Sequence, residues 1–554
     1  MISKLRLVLA QLNLRVGDVQ GNTRRIIETA QQAIDEHQAD IVVYPELTLT
    51  GYPPEDLLLR PSLADRIGRG LQELCDAALP VYLVVGHPLP ENDKLFNALS
   101  VIHRGEVLLT YRKQCLPNYQ VFDERRYFAS GDRVCVLDIK GLRTAFTICE
   151  DLWEIAPTRQ ASQAGVGLLI NINASPFHTN KLEQRAALLA NRSRESGTPI
   201  VYINQVGGQD ELVFDGNSMI SNADGHVRIV GPAFEEALVA VTLDIGAGVA
   251  VPDMTSGQPA AIAFAVSTEQ RCYQAMVLGL RDYVAKNGFS DVLLGLSGGI
   301  DSALTLAVAV DALGADHVSA VMMPFSYTSD LSLTLASEQV QRLGVRYEII
   351  AINEIYQAFA AALAGEFAGL PPDLTEQNIQ ARCRGVILMA ISNKKGGLVL
   401  TTGNKSELAV GYCTLYGDMA GAFAVIKDAS KTLVYQLARF RNQFAADNGE
   451  ADCIPAGVIE RAPSAELAPD QRDDDNLPPY DRLDPVMAMY VEQDMSAEDI
   501  IACGYGREEV LRVLRLIDIS EYKRRQAPIG VRLTERAFGR DRRYPITQSW
   551  TAGR

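Results

Sequence analysis

Apolar and polar residues alternate from the start of the chain, and the alternation predicts a strand over Leu5–Leu12. Helical spacing follows over Asn22–Glu36, and a short apolar run at Ile41–Tyr44 is ended by Pro45. Further strands are predicted at Val81–Gly86, Val134–Ile139, Thr144–Ile148, Gly167–Ile172 and Ile200–Asn204, with helices at Leu63–Ala77 and Asn180–Glu195. Arg104-Gly105 and Asp224-Gly225 sit between apolar runs and predict hairpin turns. Local hairpins mixed with strand–helix units predict a sheet sandwich with helices outside it over residues 1–245.

Residues 246–268 break the rhythm. They are rich in Gly and Pro and poor in charge, which predicts a linker. From Glu269 the order becomes strictly alternating. Helices at Glu269–Lys286, Ser302–Leu313 and Ser329–Leu343 separate strands at Val292–Leu296, Val318–Met323 and Arg346–Ile350, and a later strand is predicted at Gly397–Thr401. Such alternation predicts a parallel sheet covered on both faces, a Rossmann-like doubly wound α/β/α domain over 269–554. Residues 466–485, with Asp473-Asp474-Asp475 and Pro478-Pro479, predict a mobile loop. A chain of 554 residues suits two domains better than one core.

Composition narrows the classes. Apolar residues at 47% and charged residues at 22% fit a globular α/β protein and exclude disorder. A net charge of −16 argues against nucleic acid as a partner. No apolar run approaches the roughly 18 residues of a membrane span, and the charged, alternating N-terminus reads as a strand and not a secretory signal. Nine scattered cysteines without a Cys-x-x-Cys pair exclude a zinc ribbon and a disulfide framework, so the expected compartment is the cytoplasm.

The most informative segment is Gly295-Leu296-Ser297-Gly298-Gly299-Ile300-Asp301-Ser302. A strand runs into glycines and then a helix opens, so backbone N–H groups and a helix N-terminus converge on an anion. Ser297 and Ser302 add hydroxyls, and Asp301 suits a Mg²⁺ ligand. It is neither a Walker A loop nor a dinucleotide fingerprint. The segment resembles the loop of the ATP pyrophosphatases, which transfer AMP to a carboxylate or carbonyl oxygen. The ordered set Glu376–Arg384, Thr401–Glu407, Tyr416-Gly417-Asp418, Lys427-Asp428, Lys431-Thr432, Pro463–Leu467 and Tyr522-Lys523-Arg524 is similar to the NAD synthetases of that group over residues 270–554. The resemblance implies ATP as co-substrate, held by residues 295–302, Thr402, Lys427 and Ser464. It implies Mg²⁺ at Asp301 and Glu407, and deamido-NAD⁺ against Asn378, Arg382, Glu407, Asp418 and Lys523. Flavin, haem and zinc are not expected.

In the first half, Cys149 ends an apolar strand. Read alone, it is most simply a core residue. Glu46, after Ile41–Tyr44, and Lys113, in Tyr111-Arg112-Lys113-Gln114-Cys115-Leu116-Pro117, change that reading. The order Glu, Lys, Cys resembles the nitrilase superfamily of carbon–nitrogen hydrolases, an α-β-β-α sandwich. A positive neighbour favours a thiolate, Glu46 can act as general base, and Lys113 can hold an oxyanion. Tyr119, Ser175 and Lys181 resemble the glutamine-binding set of the glutaminase branch. Glu124 is a candidate auxiliary carboxylate, and Cys115 is given no role.

Both halves in one chain resemble the two-domain synthetases that take ammonia from glutamine and deliver it through a sheltered path to an adenylated carboxylate. That resemblance implies a homo-oligomer, a dimer of synthetase domains extending as far as an octamer. Three other readings stay open: an adenylating tRNA-modifying enzyme, an amidase with a nucleotide-sensing second half, and a non-enzymatic scaffold. The acidic total counts against the first, although residues 523–543 are locally basic and are expected as a flap over nucleotide phosphates.

Overall fold

A computed structural model describes residues 3–259, 263–468, 471, 477–550 and 552–553. The chain divides into two compact units, Met1–Ser267 and Thr268–Arg554.

The first unit contains two seven-stranded sheets. One runs in the order Val249–Pro252, Ala237–Gly246, Ser3–Gln11, Ile41–Val43, Tyr82–Glu91, Lys94–His103, Glu106–Arg112. The other runs Gln258–Pro259, Val227–Ile229, Met219–Ser221, Ile200–Asn204, Leu168–Asn173, Leu142–Ile148, Val136–Ile139. Side chains of a strand alternate between faces, and the first strand shows what each face meets. Leu5, Leu7 and Leu9 join Phe146, Ile148, Ile170 and Ile172 in the core between the sheets. Val8 and Ala10 pack with Ile26 and Ala30 of helix Val19–His37 and Ile67 of helix Pro61–Asp76. Helices Ile155–Gln163 and Lys181–Ser196 cover the second sheet through Ala161, Leu182, Ala186 and Leu189. The layers are therefore helix, sheet, sheet, helix. Both expected hairpins form: Arg104 and Gly105 have φ of 51° and 87°, and Gly225 has φ of 82°.

The stretch expected as a linker behaves differently in its described part. Val249–Pro252 pairs with Ala237–Gly246, and Gln258–Pro259 pairs with Val227–Ile229, so both sheets gain an edge strand from it. Its prolines, Pro252 and Pro259, lie on edge strands, where proline is tolerated. Residues 260–262 of that stretch lie outside the described residues.

The second unit holds one parallel sheet in the order Arg346–Ile349, Val318–Met322, Val292–Gly295, Leu398–Thr401, Phe423–Ala424. Chain order reverses direction at Val292–Gly295. A crevice at the carboxyl ends of the strands follows from that reversal. Helix Ile300–Leu313 leaves the central strand and is buried over most of its surface. In the expected loop 466–485, the acidic run Asp473–Asp475 lies outside the described residues, while Tyr480–Val491 is a helix that begins straight after Pro479.

Candidate active sites

In the first unit, Glu46 follows strand Ile41–Val43 on a turn that strand Tyr82–Glu91 crosses at close range. A Cβ on Gly86 would stand 2.6 Å from the Leu47 nitrogen and 2.7 Å from the Pro45 oxygen. The Glu46 carboxylate is fully buried. Its Oε1 accepts from Lys113 Nζ at 2.7 Å and Asn97 Nδ2 at 2.7 Å, and its Oε2 accepts from the Ala174 N–H at 3.1 Å. Lys113 Nζ also donates to Glu124 Oε1 at 2.8 Å, and the Tyr52 hydroxyl donates to the same oxygen at 3.2 Å. Burial works against the Lys113 charge, but Glu124 and Glu46 hold its pKa well above the ordinary lysine value. Burial also carries Glu124 up to about 7, against the pull of Lys113.

Cys149 begins the short turn Cys149–Leu152 after strand Leu142–Ile148. Its φ of 45° is left-handed, a conformation that costs a non-glycine residue about 1–3 kcal/mol. Burial, then the charge of Glu46, pushes the thiol well above its usual pKa, and Lys113 only partly opposes them. Lys113 is the positive neighbour expected to favour a thiolate. Lys113 does pull the right way, but desolvation and the carboxylates outweigh it.

Of the residues expected to bind glutamine, Tyr119 and Ser175 sit on loops after strands Glu106–Arg112 and Leu168–Asn173, and Lys181 begins helix Lys181–Ser196. The Tyr119 hydroxyl donates to Glu150 Oε2 at 2.9 Å. Ser175 donates its N–H to Asn204 Oδ1 at 2.8 Å. Lys181 Nζ stands 4.2 Å over the Trp153 ring. Sequence reasoning gave no role to Asn97, whose only signal is an Asn inside an apolar strand, nor to Asp151, two residues after Cys149. The Cys115 thiol is raised to about 12 by burial and by Asp151.

In the second unit, a cleft of about 270 Å³ opens where the strand order reverses. It is lined by Gly295, Leu296, Ser297, Gly299, Ile300, Asp301 and Ser302, together with Thr402, Glu407, Asp418 and Ser464. Gly298 supports the loop from behind: its φ is 79°, and a Cβ there would lie 2.4 Å from the Ser332 oxygen. Ser302 Oγ accepts from the Ser297 N–H at 3.2 Å and donates to the Gly299 oxygen at 3.0 Å, which shapes the turn.

Asp301 and Glu407 converge on one point. Lys431 Nζ lies 2.5 Å from Asp301 Oδ2 and 3.1 Å from Glu407 Oε1. Asn404 Nδ2 donates to Asp301 Oδ1 at 2.8 Å, and Asn404 also caps the helix that carries Glu407. The ammonium marks a place where two carboxylates share a cation, and a divalent ion with phosphate oxygens suits the same donors. Lys431 was named in the sequence pattern without a role. Arg461 and Glu466 also line the cleft. Arg461 donates to Glu466 Oε1 at 3.0 Å and to Ser332 Oγ at 2.8 Å. Asp418 is raised to about 6 by burial, with the Thr414 N–H opposing.

Besides Gly298, four expected residues lie outside the cleft lining. Asn378 Oδ1 accepts from the hydroxyl of Thr414, which does line it. Arg382 donates to the Leu415 oxygen at 3.2 Å. Lys427 Nζ donates to the Pro528 oxygen at 2.6 Å. Lys523 Nζ donates to the Gly411 and Cys413 oxygens at 2.7 and 2.8 Å. The basic stretch 523–543 does not form a free flap either. Arg524 and Arg542 are buried on Glu521, and Arg532 pairs with Asp541 at 2.7 Å. Arg524, Arg532 and Arg542 are thus held by internal carboxylates.

Residues 6–252 match the carbon-nitrogen hydrolase family, and residues 272–527 match the NAD synthase family. The chain is 50% identical over 552 residues to a glutamine-dependent NAD(+) synthetase of Xanthomonas campestris pv. campestris, covering 99% of this chain and 98% of that one. It is 47% identical to a glutamine-dependent NAD(+) synthetase of Acinetobacter baylyi, covering 99% of each. The solved glutamine-dependent NAD+ synthetase of Acinetobacter baumannii, in complex with adenosine diphosphate, is 44% identical, is covered in full by this chain, and aligns with a TM-score of 0.79. A hydrolase unit and a synthase unit in one order, with similarity along the whole length, mean that the chain belongs to the glutamine-dependent NAD(+) synthetases.

Proposed function

We propose that the chain converts deamido-NAD⁺, ATP, glutamine and water to NAD⁺, AMP, pyrophosphate and glutamate. The observation that carries this reading is a buried Glu46–Lys113–Glu124 cluster whose charges act on Cys149, in one chain with a phosphate loop at a sheet's switch point.

In the first unit, proposed here to be a glutaminase over 1–245, Glu46 takes the thiol proton as Cys149 Sγ attacks the amide carbon. Lys113 holds the oxyanion that forms. Collapse of that intermediate, with the proton passing from Glu46 to the leaving nitrogen, expels ammonia and leaves a thioester, which a water activated by the freed Glu46 carboxylate hydrolyses to glutamate. Tyr119, Ser175 and Lys181 hold the substrate. In the second, 269–554, a carboxylate oxygen of deamido-NAD⁺ attacks the α-phosphorus of ATP and pyrophosphate leaves. Ammonia then attacks the adenylated carbon and AMP leaves. Residues 295–302, Thr402 and Ser464 cradle phosphates, with Lys427 as a further ATP contact. Asn378, Arg382, Glu407, Asp418 and Lys523 face deamido-NAD⁺.

Asp301 and Glu407 would hold Mg²⁺, which when bound neutralises charge on the pyrophosphate leaving group. Displacing Lys431 from between them frees its ammonium for phosphate. All nine cysteines are free thiols, which suits the cytoplasm. Self-association is supported by helix Asn353–Leu363, which buries none of its residues, and by exposed Leu374, Val386 and Met389 on helix Leu374–Lys395, which packs against it.

The test is Cys149→Ala with each nitrogen donor in turn. NAD⁺ formation from glutamine should be lost while formation from high ammonium persists. Equal loss with both donors would refute the division of labour.

A further inference from the structure

Four hydrogen bonds converge on a carboxylate to which the mechanism gives no task. Asp151 is fully buried. Its Oδ2 accepts from the Ile148 N–H at 2.9 Å and from the Tyr111 hydroxyl at 2.7 Å. Its Oδ1 accepts from the N–H groups of Gln114 at 3.0 Å and Cys115 at 2.8 Å. Ile148 directly precedes Cys149, and Gln114 and Cys115 directly follow Lys113. Cys149 follows strand Leu142–Ile148 of one sheet, whereas Lys113 follows strand Glu106–Arg112 of the other. One side chain thus ties together the backbone segments that carry the proposed nucleophile and the proposed oxyanion partner.

We infer that Asp151 is a positioning residue that fixes Cys149 relative to Lys113 across the two sheets of the first unit. The inference rests on the proposed roles of those two residues. Its physical basis is geometric. Cys149 is held at a left-handed φ of 45°, and such a conformation persists only where the surroundings over-determine it. Asp151 holds the residue before it from inside the same turn. An ionised carboxylate accepts at both oxygens, so it can serve all four donors. Asparagine has the same size but replaces one acceptor with an NH₂ group. Either the Ile148 and Tyr111 donors or the Gln114 and Cys115 donors would then face another donor, and the tie between the two segments opens on one side. A displacement of about 1 Å at reacting groups is enough to cost roughly 100-fold in rate.

The effect should be specific to chemistry that needs Lys113. Alkylation of Cys149 by iodoacetamide forms a carbon–sulfur bond and expels iodide without passing through an oxyanion. Hydrolysis of glutamine does pass through one. In Asp151→Asn, kcat for glutamate release should therefore fall by about 100-fold, with KM for glutamine within about threefold of wild type. Iodoacetamide alkylation should change far less. NAD⁺ formation from ammonium should match wild type. A general loosening of the unit would instead raise KM and alter alkylation in step with hydrolysis.

The experiment measures glutamate release, iodoacetamide incorporation and ammonium-driven NAD⁺ formation on the full-length chain for wild type, Asp151→Asn and Cys149→Ala, with far-ultraviolet circular dichroism as the check on folding. If Asp151→Asn does not fold, Tyr111→Phe decides, because it deletes one of the four donors and leaves the carboxylate in place. It should lower kcat several-fold at constant KM. Wild-type kcat in folded Asp151→Asn, or in Tyr111→Phe where that variant must decide, overturns the inference. So does a parallel loss of hydrolysis and alkylation. Glutamate release that survives in Cys149→Ala would overturn the underlying site reading instead, and that outcome is distinguishable because it does not depend on Asp151.

Discussion

Replacing Gly86 with alanine separates the placement of Glu46 from its chemistry. Gly86 contributes no side chain to the site, and its φ is not left-handed, so the substitution acts through the added methyl alone. That methyl would lie 2.6 Å from the Leu47 nitrogen, 2.7 Å from the Pro45 oxygen and 3.1 Å from the Glu46 carbonyl carbon. Ordinary contact begins near 3.4 Å, so the turn that carries Glu46 must retreat by about 0.8 Å or the strand must bow by as much. The opposing atoms are backbone, which cannot rotate out of the way. Overpacking of this kind costs about 1–3 kcal/mol of stability. The displacement approaches the 1 Å that costs roughly 100-fold in rate when it falls on reacting groups. Glutamate release by Gly86→Ala should therefore fall about 10–100-fold, and the first unit should unfold a few degrees earlier. Ammonium-driven NAD⁺ formation should be unchanged. The assay is glutamate release at saturating glutamine beside NAD⁺ formation from ammonium. A variant that releases glutamate at the wild-type rate would show that the Glu46 turn gives way without consequence, and the proposed base would lose its geometric support.

Three further outcomes follow from the described contacts. Gly298→Ala combines a φ of 79° with a methyl 2.4 Å from the Ser332 oxygen. Strain of about 1–3 kcal/mol at the loop should raise KM for ATP by about 5–150-fold with either nitrogen donor, and an unchanged KM would remove the loop from ATP binding. Asp301→Asn or Glu407→Gln should slow synthesis from both donors by about 10–100-fold, by analogy with the loss of groups that support a metal, while glutamate release measured alone persists; normal ammonium-driven rates would refute the shared cation position. Glu124, carried by burial to about 7 from an ordinary 4.5, favours the folded state fully below about 4.5 and loses that contribution as pH rises through about 7. The urea midpoint of wild type relative to Glu124→Gln should therefore decline over that range, and a difference that stays constant with pH would contradict the raised pKa.

The sequence showed most where a signal is local. Period-two alternation located Ser3–Gln11, and Ser-Gly-Gly between a strand and a helix located the cleft, because both depend on neighbours a few residues apart. Long-range partners were not legible. Asp151 was two residues from the recognised cysteine, yet its partners Tyr111, Gln114 and Cys115 lie in and just after strand Glu106–Arg112 of the other sheet. Lys431 takes its meaning from Asp301, which lies 130 residues away. Counting charge misread residues 523–543 for a related reason: a tally of Arg and Lys does not see that Arg524 and Arg542 end on Glu521 inside the fold. Gly and Pro content marked 246–268, where the division at Ser267/Thr268 falls, but hid its two edge strands, since a sheet edge tolerates the same residues as a free connection.

The strand Ser3–Gln11 also imposes a timetable on synthesis. One of its edges pairs with Ile41–Val43, which leaves the ribosome soon afterwards. The other pairs with Ala237–Gly246, matching Gln11 to Ala237 and Ser3 to Ile245. At about 5–20 residues per second, that second partner arrives roughly 10–45 s later. Throughout that interval the nascent chain presents an open edge flanked by leucines, the kind of surface that pairs with other chains. The first unit therefore cannot complete its sheet until translation has passed nearly all of it, and a ribosome paused before codon 237 holds a sandwich with one sheet still open at Ser3–Gln11.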